Sequence, residues 1–378
     1  MRVGIDASNI RAGGGLTILM ELLKLYAPGD HGVSSITIWC NREVSEKLSA
    51  LNPKLQTVNV PELNAGFVKR FSWRVLEFPK AARAKVDALL IPGGMPVVSR
   101  LKNISMSLNL LPFMPHEYKR DADFKQRLKY RLLRVLNYRS LSRADGAIFL
   151  NENARHVIYE GRQSEQPFAL CPLGVDPRFF LDSRKVKPND AYSFESPFRF
   201  IYVSTVNSYK HQWHVADAVK RARGAGYPIT VDFIGGAAPA PLKRLEAAIE
   251  ANGGEASGAR YIGKVPFMEL HEYYHKADGF IFASTCENMP NIGVEAMAAA
   301  LPITSSKLEP MKGLFDGCAL LFDAESPESI AKALQDLFDD APRRERLSQQ
   351  ARAQAQQYSW ENFYAGTLGF IQKIAAAA

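Results

Sequence analysis

The chain has 378 residues, 47% hydrophobic and 23% charged, which is typical of a soluble globular protein long enough for two α/β domains. No apolar run approaches the ~18 residues that span a bilayer, and the N-terminus lacks the apolar stretch of a signal peptide. The four cysteines are scattered without metal or disulfide spacing, which favours a reducing cytoplasm.

Positive charge is concentrated in the first half of the chain. Of 47 Lys+Arg and 39 Asp+Glu, residues 1–200 hold 30 and 19, a net +11, and the remaining residues hold 17 and 20, a net −3. This asymmetry predicts an anionic partner for the first half.

The first predicted elements are a strand over residues 2–7, a loop over residues 8–15 and a helix over residues 16–26. The loop contains three consecutive glycines, Gly13, Gly14 and Gly15. Glycines allow a backbone to approach a diphosphate closely, and a helix start supplies N–H donors. The loop matches neither the dinucleotide fingerprint nor a Walker loop, and a purely structural turn remains equally open.

Further strands are predicted at residues 35–40, 56–60, 86–91, 104–110 and 144–151. Helical segments lie between several of them, and this alternation predicts a parallel sheet built from βαβ units. Asn109 lies at the end of the 104–110 strand.

Residues 119–143 are predicted to form a helix with nine cations and an apolar stripe that includes Leu128 and Leu132. Asp121 and Asp123 spell a D-x-D motif, but they precede a basic helix, where acidic residues suit the helix dipole, so a metal role is discounted. Residues 67–74 mix aromatic side chains with three cations. Basic amphipathic segments of this kind predict docking on an anionic membrane surface. The alternative is that the leucines pack into the first domain and only the cations meet solvent.

Residues 177–359 repeat the α/β pattern, with strands predicted at 198–205, 229–236, 260–265, 279–283, 302–305 and 319–322. Lys210 follows the first of these strands. The 279–283 strand is followed by a turn and an alanine-rich helix, predicted over residues 294–301, with Glu287 and Glu295 on either side of the helix start. Two glutamates so placed suit hydrogen bonds from hydroxyls of a ligand whose phosphates meet the helix N-terminus. A solvated loop glutamate and a glutamate that interacts with the helix dipole are the alternative, and it stays open at this point.

Glu287, the seven residues after it, Glu295-Ala296-Met297-Ala298 and the following Leu-Pro-Ile-Thr resemble the signature of the retaining nucleotide-sugar glycosyltransferases of family four. The glycine loop, the Asn109 strand end, Gly174-Val175-Asp176 and Lys210 fit the same resemblance. It implies the GT-B architecture, with two Rossmann-like domains facing a central cleft. The expected domains are residues 1–176 for the acceptor and 177–359 for the donor, with residues 360–378 packing back on the first domain.

The resemblance also implies the roles of individual residues. Glu287, Lys210 and Asn109 would be catalytic. The donor would contact Gly13, Gly14, Gly15, Ser204, Thr205, Gly235, Lys264, Pro290, Asn291, Ile292 and Glu295. The chain departs from the family at two positions, since Leu108 stands where many members have histidine and Thr205 where they have a diphosphate-binding arginine.

The expected reaction is transfer of a sugar from a UDP- or GDP-sugar to a lipid-linked glycan with retained configuration, in surface polysaccharide or lipopolysaccharide biosynthesis. Neither metal nor cofactor is expected, and the protein is expected at the inner face of a bacterial cell membrane. Two alternatives remain open. A sugar-nucleotide epimerase shares the architecture but needs acid and base residues that the sequence does not supply, and a nucleic-acid binder would suit the basic first half but lacks a known module.

Overall fold

The structure, a computed structural model, describes residues 1–11, 13–94, 100–161, 166–181 and 184–377. It divides into two compact units. The first unit comprises residues 1–118 and 122–174 together with the C-terminal segment from Ser359, and the second unit comprises residues 119–121 and 175–358.

The first unit is built on a seven-stranded sheet in the order β3-β2-β1-β4-β5-β6-β7, in which every strand pair is parallel. The strands are β1 Arg2–Asp6, β2 Ser35–Cys40, β3 Gln56–Asn59, β4 Ala88–Pro92, β5 Lys102–Met106, β6 Gly146–Phe149 and β7 Phe168–Leu170. Strands β4 and β6 are buried along their whole length. Burial on both faces is expected of a parallel sheet covered by helices on each side.

The helices of this unit are α1 Gly14–Lys24, α2 Arg42–Leu51, α3 Phe67–Leu76, α4 Phe78–Lys85, α5 Pro115–Tyr118, α6 Phe124–Arg143 and α7 Glu152–Tyr159, with α15 Trp360–Ala376 from the C-terminal segment. The last helix is held by close backbone packing. A Cβ atom on Gly174 would lie 2.2 Å from the backbone nitrogen of Trp360, so only glycine allows this approach. The Tyr364 hydroxyl donates to Asp30 at 2.8 Å.

The second unit contains a six-stranded parallel sheet in the order β10-β9-β8-β11-β12-β13. Its strands are β8 Phe198–Val203, β9 Ile229–Ile234, β10 Ala259–Gly263, β11 Gly279–Phe282, β12 Ile303–Ser306 and β13 Ala319–Phe322. Its helices are α8 Gln212–Gly224, α9 Pro239–Ala251, α10 Phe267–Lys276, α11 Asn291–Ala298, α12 Met311–Leu314, α13 Pro327–Asp339 and α14 Ala341–Ala355.

Both sheets reverse their strand order once. In the second unit the chain runs outward from β8 through β9 to β10 and then returns to β11 on the other side of β8. In the first unit the reversal lies between β1 and β4. Open α/β sheets bind ligands outside the carboxyl ends of strands at such switch points. A ligand site in the second unit is therefore expected at the loops after β8 and β11.

Several sequence expectations need correction. The strand predicted over 104–110 ends at Met106, so Asn109 lies three residues beyond it. The basic helix begins at Phe124 rather than residue 119, because the Asp123 carboxylate caps it by accepting from the Gln126 backbone N–H at 2.7 Å. The alanine-rich helix begins at Asn291 rather than residue 294.

The 67–74 segment forms most of α3, and its third cation does not face solvent. Arg74 is 7% exposed and donates to the Asp6 carboxylate through Nε at 2.8 Å and a terminal nitrogen at 2.6 Å. Trp73 is half-buried with its ring against Phe78. Of the aromatic and cationic mixture predicted to meet a membrane, these two side chains instead hold α3 to the first unit.

Candidate active site

The ammonium of Lys210 contacts the Oε1 atom of Glu287 in the second unit. Lys210 ends a short 3-10 helix, Ser208–Lys210, after β8, and Glu287 lies in the loop after β11. Because β8 and β11 are adjacent parallel strands, their carboxyl ends bring the two loops together at the switch point. The structure thus joins two of the three residues predicted to be catalytic.

Burial and further contacts hold this ion pair in place. The Lys210 side chain is 8% exposed and that of Glu287 is 14% exposed. The ammonium lies 4.9 Å from the ring centroid of Phe282, and the Ser284 hydroxyl donates to Glu287 Oε1 at 2.5 Å. Removing one partner of such a buried pair leaves the other charge uncompensated, so the two side chains stabilise each other.

Hydrogen bonds between the two loops fix their separation. The backbone N–H of Thr285 donates to the Tyr209 carbonyl at 2.8 Å. The hydroxyl of Tyr202, on β8, donates to the Lys210 carbonyl at 2.5 Å. The backbone around Lys210 is therefore anchored both to its own strand and to the loop that carries Glu287.

His211 is a third link between the loops, and sequence reasoning missed it. Its Nε2 atom lies 3.1 Å from the Thr285 hydroxyl, and its backbone adopts the left-handed conformation with φ 52°. Burial lowers the pKa of His211 to about 4, so the ring is neutral near pH 7. It therefore cannot replace the positive charge of the arginine that is absent at Thr205.

Glu295 is buried within α11, 7% exposed, one turn past the helix start. The Tyr274 hydroxyl donates to its Oε2 atom at 2.8 Å. Burial raises the pKa of Glu295 to about 7, and this hydrogen bond opposes the rise. The predicted hydroxyl acceptor is thus held close to its protonation midpoint at neutral pH.

The start of α11 offers polar groups that its own helix does not use. The first backbone N–H groups of any helix lack intrahelical acceptors, and here those of Asn291 and Ile292 follow Pro290 at that end. The side-chain oxygen of Asn291 is buried without a hydrogen-bond partner among the residues that the structure describes. These groups lie in the loop segment predicted to contact the donor.

The remaining donor-contact candidates of the second unit also follow strand ends. Ser204 and Thr205 follow β8, Gly235 follows β9, and the exposed Lys264 follows β10. Backbone packing requires glycine at position 235, since a Cβ atom there would lie 2.2 Å from the Ser204 carbonyl oxygen. Its glycine identity therefore does not by itself indicate ligand binding.

The candidates in the first unit lie beyond the ends of β1 and β5. Gly13 precedes α1 with φ 70°, and Gly14 and Gly15 form its first residues with open space where each Cβ would be. Asn109 is exposed, and its side-chain oxygen accepts from the Leu111 backbone N–H at 3.0 Å. That bond is a local turn contact, so the predicted catalytic role of Asn109 gains no specific support and stays a prediction.

Within the described ranges, no group of three or more His, Cys, Asp and Glu side chains is arranged to hold a metal ion. Asp123 serves as the α6 cap, as described above. The expectation that the reaction needs no metal remains a prediction.

Residues 183–354, most of the second unit, match the family model described as "Glycosyl transferases group 1". The chain is 24% identical over 204 residues to a D-inositol 3-phosphate glycosyltransferase of Paenarthrobacter aurescens (strain TC1), covering 53% of this chain and 50% of that protein. It is 34% identical over 104 residues to O-antigen chain mannosyltransferase B of Escherichia coli, covering 27% of each chain. The alignments thus span half or less of these curated relatives.

Solved structures resemble the whole chain in fold. A sucrose-phosphate synthase from Thermosynechococcus elongatus superposes with a TM-score of 0.76 at 15% identity, covering 100% of both chains. Anabaena Alr3699/HepE in complex with UDP-glucose gives a TM-score of 0.72 at 16% identity, covering 99% of this chain and 98% of that one. These matches confirm the predicted α/β fold class of two Rossmann-like units, the GT-B fold.

Proposed function

We propose that this protein is a retaining glycosyltransferase that moves a hexose-type sugar from a nucleotide diphosphate sugar to a glycan acceptor. The observation that supports this most is the buried contact between Lys210 and Glu287 at the switch point of the second unit. It lies within the segment that matches the group 1 glycosyltransferase family. A cation, a carboxylate and a helix start at one strand edge suit a ligand that combines phosphates with hydroxyls.

In this proposal Lys210 and the start of α11 bind the donor diphosphate. Their positive charge and free N–H groups would stabilise the negative charge that develops on the leaving phosphate. The buried side-chain oxygen of Asn291, which has no hydrogen-bond partner among the described residues, would accept a hydrogen bond from the nucleotide sugar. When Lys210 turns toward phosphate, Glu287 would be free to accept hydrogen bonds from sugar hydroxyls.

Glu295 would bind the ribose hydroxyls of the nucleotide. Its carboxylate is one turn inside the helix whose start would face the phosphates, and Tyr274 orients it. Buried carboxylates form strong hydrogen bonds to hydroxyl donors. Because burial raises the pKa of Glu295 to about 7, hydrogen bonds from the ribose hydroxyls would also shift the carboxyl group toward its ionised form.

The chemistry proposed at this site is a same-face substitution. The bond between the anomeric carbon and the phosphate oxygen breaks, the acceptor oxygen bonds the same face of that carbon, and the acceptor proton passes to the departing phosphate. The electron pair of the broken bond leaves with the diphosphate, so no redox partner is needed. No metal is expected in this step, and activity is expected to survive EDTA.

We further propose a lipid-linked acceptor and docking of the first unit on an anionic membrane surface at the inner face of the cell membrane. Four apolar side chains of α6, Phe124, Leu128, Leu132 and Val135, are 46% to 80% exposed at helical spacing. Cations flank this stripe on both sides, as in helices that lie on anionic membranes. No helix in the described parts of the chain is long and apolar enough to cross a bilayer.

The donor proposal is tested by thermal shift with UDP, GDP, ADP and their sugars. A ligand that binds only the folded state raises the unfolding temperature in a concentration-dependent way. We expect one nucleotide and its sugar nucleotide to raise the unfolding temperature of the wild type, and to raise that of the Glu295→Ala variant by less. No stabilisation by any nucleotide would overturn the proposal.

A further inference from the structure

An arginine-lined cavity lies in the second unit at the edge of the sheet opposite the loops of Lys210 and Glu287. Its volume is about 460 Å³, and its walls include Arg199, Arg223 and Arg260. Arg199 and Arg260 are the second residues of β8 and β10, so the cavity adjoins the amino ends of these strands. A six-residue strand is about 20 Å long, which separates this cavity from the proposed donor site.

Strand register brings two of the arginines to one carboxylate. Arg199 on β8 pairs with Thr230 on β9, and Arg260 on β10 pairs with Asp232 on β9. Paired residues in neighbouring strands share a face of the sheet, and so do residues two apart on one strand. All four side chains therefore lie on one face at the amino edge.

The carboxylate of Asp232 binds both guanidinium groups. Arg199 donates to Oδ2 at 3.0 Å, and Arg260 donates through Nε to Oδ1 at 2.9 Å. The Asp232 side chain is 4% exposed, whereas the two arginine side chains are 40% and 43% exposed. One buried negative charge thus orients two accessible positive ones and leaves one of them uncompensated.

Arg223 adds a third guanidinium from the end of α8. It donates to the Ile229 carbonyl at 3.2 Å and lies 4.9 Å from the ring centroid of Phe194. It has no carboxylate partner among the residues that the structure describes. Gly258 makes room for it, since a Cβ atom there would lie 2.5 Å from the Cδ atom of Arg223.

We propose that this cavity binds a phosphate-bearing small molecule at a site distinct from the donor site. Planar guanidinium groups match phosphate oxygens in pairs, and they remain charged at every physiological pH. The three arginines outnumber the two acids at the cavity, the buried Asp232 and the lining Glu255. This proposal does not depend on the proposed transferase activity.

The test is isothermal titration calorimetry with inorganic pyrophosphate at low salt. The informative variant is Arg223→Ala, because replacing Arg199 or Arg260 would leave Asp232 buried with fewer partners. Arg221→Ala is the matched control, since Arg221 is an exposed arginine in the last turn of the same helix.

We expect Arg223→Ala to weaken one class of pyrophosphate site by about tenfold or more, and Arg221→Ala to leave affinity and stoichiometry at wild-type values. Any pyrophosphate bound near Lys210 would be retained in both variants, so the comparison isolates the arginine-lined cavity. Equal binding by the wild type and Arg223→Ala, or equal weakening by both variants, would overturn the proposal. Matching unfolding temperatures of the two variants would exclude a difference in folding.

Discussion

Lys210 and Glu287 form a buried ion pair between the loops that follow two adjacent parallel strands, with side chains only 8% and 14% exposed. The hydroxyl of Ser284 binds the same carboxylate oxygen as the ammonium. The two charges stabilise each other in the folded protein, and in the proposed site each of them also binds part of the nucleotide sugar. Variants of the pair should change both stability and turnover.

Replacing Lys210 by alanine should reduce kcat by ~10²–10³, because a single cation would bear much of the leaving diphosphate charge. It should also destabilise the protein by about 3–5 kcal/mol, since Glu287 would stay buried without its partner. Steady-state kinetics and denaturant unfolding measure the two effects. Lys220→Ala, at an exposed position on α8, is the control. Wild-type kcat in the Lys210 variant would show that the diphosphate binds elsewhere.

Combining Lys210→Ala with Glu287→Gln should restore part of the lost stability but none of the activity. The double variant has no uncompensated buried charge, whereas the group that binds phosphate is still absent. If the two substitutions were additive in the free energy of unfolding, the contact between the two side chains would not contribute to stability.

Glu295 should make stability depend on pH. Its pKa is about 7 in the folded protein and 4.5 ordinarily, so the folded state binds more protons between these values. The contribution of Glu295 to the free energy of unfolding should therefore be fully present below about pH 4.5 and be lost as pH rises through 7, by about 3 kcal/mol in all. Urea unfolding of wild type and Glu295→Gln across this range measures the effect, and Gln at this position should flatten the profile. An identical slope in both proteins would mean that another group is responsible.

His211 should act as a positioning residue through Thr285. His211→Asn retains a residue that tolerates positive φ but shortens the side chain, so the bond to the Thr285 hydroxyl is lost. Lys210 and Glu287 would then be held less firmly, and kcat should fall by about tenfold with little change in KM. Thr285→Val removes the other partner. The double variant should be no slower than either single variant, and fully multiplicative losses would argue against a shared role.

The exposed stripe of α6 should bind anionic vesicles. Leu128→Asn with Leu132→Asn should reduce recovery in liposome flotation, because both leucines are more than half exposed and would insert among headgroups. Lys125→Glu with Lys129→Glu should reduce the recovery further, because each near-surface cation contributes about 1 kcal/mol to the free energy of membrane binding. Leu321→Asn, at an exposed leucine of the second unit, is the control. Equal recovery on neutral and anionic vesicles would contradict membrane docking.

The elements that sequence predicted well are those whose apolar pattern is decided locally. Strands β2 and β13 cover the ranges predicted for them, residues 35–40 and 319–322. The Glu287–Glu295 stretch was located from the same kind of pattern, as a buried strand, a turn and an alanine-rich helix. The helix in this stretch begins three residues earlier than predicted, because Pro290 and Asn291 are expected from the sequence as turn and cap residues before the helix, whereas Asn291 is its first residue.

What the sequence did not reveal depends on contacts between distant residues. Arg74 looked like a surface cation, but it pairs with Asp6, sixty-eight positions away in the chain, and is buried. The contact of Lys210 with Glu287 joins residues seventy-seven positions apart, and only the strand order places their loops together. His211 had one local signal, its position next to Lys210, and its bond to Thr285 could not be read from spacing.

The most direct test of the proposed donor site is a comparison of Glu287→Ala and Glu295→Ala on the nucleotide sugar that stabilises the wild type most. Equilibrium binding gives the nucleotide Kd, and steady-state kinetics give kcat. Glu295→Ala should raise Kd by about 10- to 100-fold, through loss of charge-assisted hydrogen bonds of roughly 1.5–3 kcal/mol, whereas Glu287→Ala should mainly lower kcat. Wild-type Kd and kcat in both variants would contradict a donor site at the ends of β8 and β11.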